Sequence, residues 1–289
     1  MYKIAILGCE NSHANAFLNL IKEGKFENIE VIGVYSNEPE AAEKLAKEFG
    51  VQVADSPDAF VGKVDGIVIT ARDGRNHLPY AMPYLASGIP MFMDKPITSD
   101  RDEALTLARE AKKYGVRLVG GSSCVHCEYV LELKEKIASG ECGEIFGGYL
   151  RAPVSMKNAY GDFFFYAAHL VQVMQTIFGY YPKSVKSYTA GKGTTVVARY
   201  ADFDVSLLYV DGNYRYYASV SAESGVIGAE YPVNESIYAS EFGEFYKLLE
   251  GGEMPHSYEE FISSVPIICA IDQSMRTGEE VAISYFGEI

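Results

Sequence analysis

The chain of 289 residues has no tryptophan, only five cysteines, and 25 basic side chains against 39 acidic ones. The resulting net charge of −14 excludes a nucleic-acid surface of the usual basic kind, because phosphates would be repelled. The cysteines (Cys9, Cys124, Cys127, Cys142 and Cys269) are odd in number and few for the length. That speaks against a disulfide framework and for reduced thiols. No apolar run is long enough to span a bilayer. The N-terminus goes straight into an apolar strand, without a basic region or a cleavage site. The expectation is a cytoplasmic protein with no membrane and no nucleic acid among its partners. Internal repeats and low-complexity linkers are also missing. What remains is a chain 48% hydrophobic and 22% charged, long enough for one large or two ordinary globular domains. With no tryptophan, aromatic surface rests largely on 22 tyrosines. Those in Tyr214-Arg215-Tyr216-Tyr217 suit either an interface on an open sheet or half-buried strand positions.

One further absence matters more. Tyr2 to Leu7 is a buried strand, Gly8 opens a tight loop, and a helix starts near Ser12 with Ala14, Phe17, Leu18 and Ile21 on one face. A dinucleotide-binding domain starts this way, its pyrophosphate resting on backbone N–H groups and the positive end of the helix dipole. Gly8, Glu10, Asn11, Ser12 and His13 are therefore candidate cofactor contacts. Yet an intact Gly-x-Gly-x-x-Gly would need glycine at 8, 10 and 13. Gly8 keeps the turn, Glu10 sets a side chain where backbone usually approaches phosphate, and His13 is large for a close helix–strand contact. An α/β domain whose first loop binds nothing is the competing interpretation.

Further along, strands and helical segments alternate. Strands are expected at Ile29–Tyr35, Val51–Val53, Asp65–Thr70, Ile89–Met93 and Val116–Gly120. Helices are expected at Pro39–Phe49, His77–Ser87 and Asp100–Tyr114, with a helical turn at Asp58–Val61. Pro83 falls inside the second of these helices. Six strands joined by short helical connections predict a doubly wound parallel sheet, a Rossmann arrangement, closing near Gly121. The second strand ends on Ser36, where an acid would hold the adenosine ribose hydroxyls. Its loss mildly favours NADP over NAD, though Ser36 equally suits the start of the turn before Pro39. Thr70, at the end of the fourth strand, is another candidate cofactor contact. After Gly121 come helices at Glu128–Ser139 and Phe164–Phe178 and strands at Glu144–Val154, Ser184–Thr189, Thr194–Tyr200, Val205–Val210, Tyr214–Ala222 and Val226–Tyr231. Turns such as Asp211-Gly212-Asn213 indicate a largely antiparallel open sheet. Helices at Ser240–Leu249 and Tyr258–Met275 and a strand at Val281–Tyr285 close the chain. The expected architecture is α/β: a Rossmann domain over 1–121, then an α+β domain over 122–289 for substrate binding and oligomerisation. Cys124-Val125-His126-Cys127 invites zinc, but no second Cys/His pair accompanies it, so no metal is expected.

Ile6-Leu7-Gly8, Asp94-Lys95-Pro96, Ser139-Gly140-Glu141-Cys142-Gly143-Glu144-Ile145, His169 and Ser274-Met275-Arg276-Thr277-Gly278, in this order and spacing, resemble the family of glucose–fructose oxidoreductase, inositol dehydrogenase and MocA. The resemblance runs nearly end to end. It implies NAD or NADP as cofactor, a sugar-like or polyol substrate, and a homo-oligomer formed through the C-terminal sheet. It further implies that Asp94 lies near the nicotinamide ribose and that Lys95 binds or polarises the substrate hydroxyl. Before proline the backbone is held extended, which aims Lys95 from a strand end. An ammonium there would stabilise a developing alkoxide. His169 matches the histidine of the family's Asp-x-x-x-His pattern and would move the hydroxyl proton. The aspartate position is Phe165, however, and the later acidic position is Gln172. Asp162 and Tyr166 are candidate substitutes and substrate contacts. His126 falls near a family arginine at the substrate site, and His77 resembles a histidine beside the cofactor, with a capping or packing role as its alternative.

These residues predict an NAD(P)-dependent oxidoreductase moving hydride between nicotinamide and a polyol carbon. Glu10, Ser36 and Phe165 depart from the pattern at sensitive positions. The alternative they raise is a non-redox ligand-binding or regulatory protein with a degenerate cofactor site.

Overall fold

A computed structural model describes all residues, 1–289. The chain begins β1 (Tyr2–Leu7), α1 (Ser12–Lys22), β2 (Ile29–Tyr35), α2 (Pro39–Phe49), β3 (Gln52–Val53), β4 (Gly66–Ile69), α3 (His77–Leu85), β5 (Met91–Asp94), α4 (Arg101–Tyr114) and β6 (Leu118–Gly121). It continues α5 (Glu128–Ala138), β7 (Ile145–Val154), α6 (Phe163–Phe178), β8 (Ser184–Ala190), β9 (Gly193–Arg199), β10 (Asp204–Asp211), β11 (Tyr216–Ala222) and β12 (Gly225–Tyr231). It closes with α7 (Ser236–Leu249), α8 (Tyr258–Ile262), α9 (Ser264–Thr277) and β13 (Val281–Ala282). The helical turn expected at Asp58–Val61 is a hydrogen-bonded turn, the Val61 N–H donating to the Asp58 carbonyl at 3.1 Å. The single helix expected over 258–275 is two, because Pro266 has no N–H to donate and is accommodated in the first turn of a new helix.

The chain forms two compact units, Met1–Gly121 with Glu235–Ile262 and Glu288–Ile289, and Ser122–Asn234 with Ser263–Gly287. In the first, six parallel strands run in the order β3-β2-β1-β4-β5-β6. The strand order reverses at β1, between β2 and β4. Ile4, Ile6, Ile67, Ile69, Met91 and Met93 are fully buried, as expected of strands covered on both faces. One cover comes from far down the chain. In α7, Ile237, Phe242, Phe245, Leu248 and Leu249 form a buried stripe. The Phe242 ring lies 4.9 Å from that of Phe17 on α1, and Phe245 lies 6.5 Å from Phe92 on β5. The sequence reading placed 235–262 with the C-terminal part. The apolar periodicity of α7 shows that it is buried but not against which sheet.

The second unit has a seven-stranded sheet in the order β12-β11-β7-β10-β9-β8-β13. Its ladders are antiparallel except β7 with β10, which run parallel, so the sheet is largely antiparallel, as expected, with one parallel pair. Side-chain alternation fixes which residues of a strand are buried, not the direction of its neighbour. Val205, Leu207 and Tyr209 of β10 are buried, and α5, α6 and α9 belong to this unit. Tyr188 and Val226 on the strands are exposed.

Candidate functional site

In the first unit the site grows out of the loop after β1. Gly8 has φ +76°, and a Cβ there would stand 2.3 Å from the Ala71 backbone, so only glycine lets the two loops approach. The Tyr35 carbonyl at the end of β2 accepts the Gly8 and Cys9 N–H groups at 2.8 and 3.3 Å. Thr70 donates its hydroxyl to the Gly8 carbonyl at 3.0 Å and is fully buried, so it holds the loop from beneath. Asn11 caps α1, its Oδ1 accepting the Ser12 N–H at 2.7 Å, while its Nδ2 donates to Asp94 at 2.6 Å. Ser12 is exposed at the first position of the helix.

Glu10 folds away across the strand ends. Its carboxylate accepts the Ser36 hydroxyl at 2.6 Å and the Arg72 N–H at 2.8 Å, and the Arg72 guanidinium donates back to the Glu10 carbonyl at 2.7 Å. Ser36 also accepts the Glu38 N–H at 3.0 Å, so its role in starting the turn is real as well.

His13, a candidate cofactor contact from the sequence, is turned toward Asp94 and α7. It is 4% exposed, edge-on to Phe17 and Tyr238, with Nδ1 3.3 Å from Asp94 and Nε2 3.4 Å from Glu241 on α7. Neither contact has the alignment of a full hydrogen bond, and both Glu241 oxygens are without one. Burial lowers the His13 pKa despite the nearby Asp94 charge. Burial, reinforced by Asp94, raises that of Glu241 well above the carboxylate range. Both shifts run toward the uncharged forms, because burial penalises the imidazolium of His13 and the carboxylate of Glu241. One ligand atom from each of the three residues lies within 4.8 Å of the others, the spacing of a metal site. The two ring nitrogens, however, face different carboxyl groups, which suits a shared proton rather than donors converging on one ion. Sequence reasoning missed Glu241. The available signal was an acid at i+4 from Ile237 and i−4 from Phe245, on the apolar stripe of a helix.

Asp94 ends β5 fully buried. Its Oδ1 accepts the Lys95 backbone N–H at 2.6 Å, and Asn11 donates to its Oδ2. The Lys95 side chain is 3% exposed and close enough for its charge to act on His13, His77 and Glu241. His77 is fully buried, its ring nitrogens 2.8 Å from the Ala71 carbonyl and 3.2 Å from that of Ile97. Burial lowers its pKa, and the neutral ring carries a single N–H, which donates to one of these two carbonyls. The His77 ring thus stands between the loop after β4 and the segment after Lys95.

In the second unit His169 sits on α6, buried, with its Nδ1 2.6 Å from the Ser122 hydroxyl and the Tyr166 ring edge-on at 4.9 Å. Ser122 accepts the Cys124 N–H at 3.1 Å, and its own N–H donates to Gln172 at 2.5 Å. Gln172 donates in turn to Ser264 at 3.3 Å. Ser122 is thus a hydrogen-bond partner of the His169 ring that the search around Asp162 and Tyr166 did not include. Asp162 is exposed and turned toward Asn158, whose N–H it accepts at 2.9 Å. Sequence separation hid Ser122, 47 residues from its partner. His126 lies half-buried in a 3-10 turn, Ser123–His126, beside buried Cys124 and Cys127. Burial pushes the Cys127 thiol up to about 11.

Residues 2–122 match the oxidoreductase family with an NAD-binding Rossmann fold, GFO_IDH_MocA. Over 148 residues the chain is 29% identical to glucose-6-phosphate 3-dehydrogenase of Bacillus subtilis, covering 50% of this chain and 40% of that protein. Scyllo-inositol dehydrogenase from Lactobacillus casei, solved with bound NAD(H) and scyllo-inositol, superposes with a TM-score of 0.85 at 15% identity, covering 98% of this chain and 99% of that one. Myo-inositol 2-dehydrogenase from Lactobacillus plantarum gives 0.82 at 14% identity, covering 98% and 99%. At these identities the structural likeness shows the shared fold.

Proposed function

We propose that the protein is a nicotinamide-dinucleotide-dependent dehydrogenase acting on a hydroxyl group of a sugar or polyol. The observation that carries this is Lys95: a buried ammonium at the carboxyl end of β5, with its backbone fixed through Asp94 by Asn11. A solvated turn lysine would need none of that support. The first unit also fits the cofactor. Gly8 permits the close backbone approach, the start of α1 presents N–H groups without intrahelical partners, and Ser36 and Glu10 offer oxygen acceptors at the end of β2. Glu10 raised the alternative of a degenerate site, but its carboxylate is drawn aside to Ser36 and Arg72.

The nicotinamide ring would supply the hydride acceptor or donor. Lys95 would hold the substrate oxygen and stabilise the negative charge growing on it. His169, with Nδ1 toward Ser122, would use Nε2 to take the hydroxyl proton in oxidation and return it in reduction. The Ser122–Gln172–Ser264 chain would orient the ring in place of the carboxylate that the family resemblance implies. His126 and Tyr166 are proposed substrate contacts, and the C-terminal sheet is proposed as an oligomer interface.

Lys95→Met tests the reading. Turnover with a polyol substrate should fall by about 10²–10³-fold, with dinucleotide affinity by calorimetry largely retained. Unchanged turnover would remove Lys95 from the reaction.

A further inference from the structure

The second strand ends on Ser36, not on an acid, and from the sequence alone that leans toward NADP. The tertiary structure reverses the argument. The loop after β1 is stitched to the end of β2 by the two hydrogen bonds from Gly8 and Cys9 to the Tyr35 carbonyl. That seam carries Glu10 sideways until its carboxylate sits 2.6 Å from the Ser36 hydroxyl. The missing acid has been supplied from the neighbouring loop.

We infer that Glu10 selects the cofactor: its carboxylate receives the adenosine ribose hydroxyls at the end of β2 and repels a 2′-phosphate, making the protein specific for NAD over NADP. The inference rests on the proposed function as a dinucleotide enzyme. A carboxylate has about four lone-pair directions. Ser36 and the Arg72 N–H occupy two of them, which leaves acceptors for the ribose 2′- and 3′-hydroxyls. Ser36 fixes the carboxylate from one side and the Arg72 backbone from the other, so it is pre-organised rather than a mobile surface acid. The same charge stands against a 2′-phosphate, which brings two further negative charges. The Arg72 guanidinium beside it donates to the Glu10 carbonyl at 2.7 Å. Tyr80, buried below, feels the Glu10 charge as well, which adds to the upward push that burial gives its phenol. The acid thus looks onto the surface between β2 and the loop after β4, where a ribose would lie. Cofactor choice has moved from the strand to the glycine-loop position itself. The residue that breaks the Gly-x-Gly-x-x-Gly pattern is the one that restores the ribose acid.

Calorimetric titration of the full chain with NAD and with NADP tests this directly. The natural protein should bind NAD on the order of 10²-fold more tightly than NADP. Glu10→Gln keeps the shape and removes the charge, and should bring the two affinities to within about fivefold, mainly through tighter NADP. A second measurement needs no variant. Because the discrimination is charge repulsion across a half-exposed site, the NAD preference of the natural protein should shrink as salt rises from about 20 to 500 mM. NADP binding as tight as NAD, or a preference unmoved both by Glu10→Gln and by salt, overturns the role of Glu10 and leaves the dehydrogenase reading intact. If neither dinucleotide binds at millimolar concentration, both fall together.

Discussion

Glu241 makes the sharpest thermodynamic prediction. It is 1% exposed, its carboxyl oxygens lack hydrogen-bond partners, and the Asp94 carboxylate is nearby. Burial first and Asp94 second hold its folded pKa well above the ordinary value near 4.5, with Lys95 pulling the other way. Between those two pKa values the native state keeps a proton that the unfolded chain has released. Stability therefore falls as pH rises, by about 1.4 kcal/mol for each pH unit. The histidines act oppositely. His13 and His77 have folded pKa values below 6.5, so their contribution is present above pH 6.5 and lost as pH falls beneath it. Below pH 6.5 the opposing slopes offset one another, whereas above it Glu241 acts without them. Glu241→Gln preserves the shape and deletes the proton exchange. In urea unfolding, the natural protein and the variant should have similar stability near pH 5. They should then diverge in the variant's favour by up to about 1.4 kcal/mol per unit through pH 7 and 8, for as long as the folded carboxyl stays protonated. Profiles that run parallel from pH 5 to 8 would refute a neutral Glu241 and restore an ion pair with His13.

The remaining predictions concern the second unit and the core. Ser122→Ala should lower kcat/KM with a polyol by about tenfold or more and shift its pH profile, since the His169 ring loses its Nδ1 partner; His169→Ala should cost about 10²–10⁴-fold. A pH profile identical to that of the natural protein would show that Ser122 does not orient the ring. Phe242→Ala should destabilise the first unit by about 3–5 kcal/mol, because the ring is fully buried among Phe17, Phe26 and Phe245. A loss below about 1 kcal/mol in thermal or urea unfolding would mean that α7 is not part of that core.

Local pattern carried most of the fold into view. Short apolar runs marked β1, β4 and β5 as buried strands, and Pro39 and Gly50 bracketed α2. Those signals are local, because backbone periodicity and turn chemistry act over a few residues. Asp94-Lys95 was legible for the same reason, since a strand end before proline has a defined direction. The Ser36–Glu10 contact, the Ser122 partner of His169 and the Glu241 end of the buried triad were not legible. Each joins residues 26 or more positions apart. Glu10 shows the difference most plainly. Along the chain it is a carboxylate obstructing a phosphate loop and Ser36 is a missing acid. Hydrogen bonding between adjacent parallel strand ends puts them side by side, and the two defects become one acidic group at the end of β2. Spacing can nominate an ionisable side chain, but its charge and its partner depend on what packs around it. Only the folded chain decides whether a carboxyl meets water, a hydroxyl or another carboxylate.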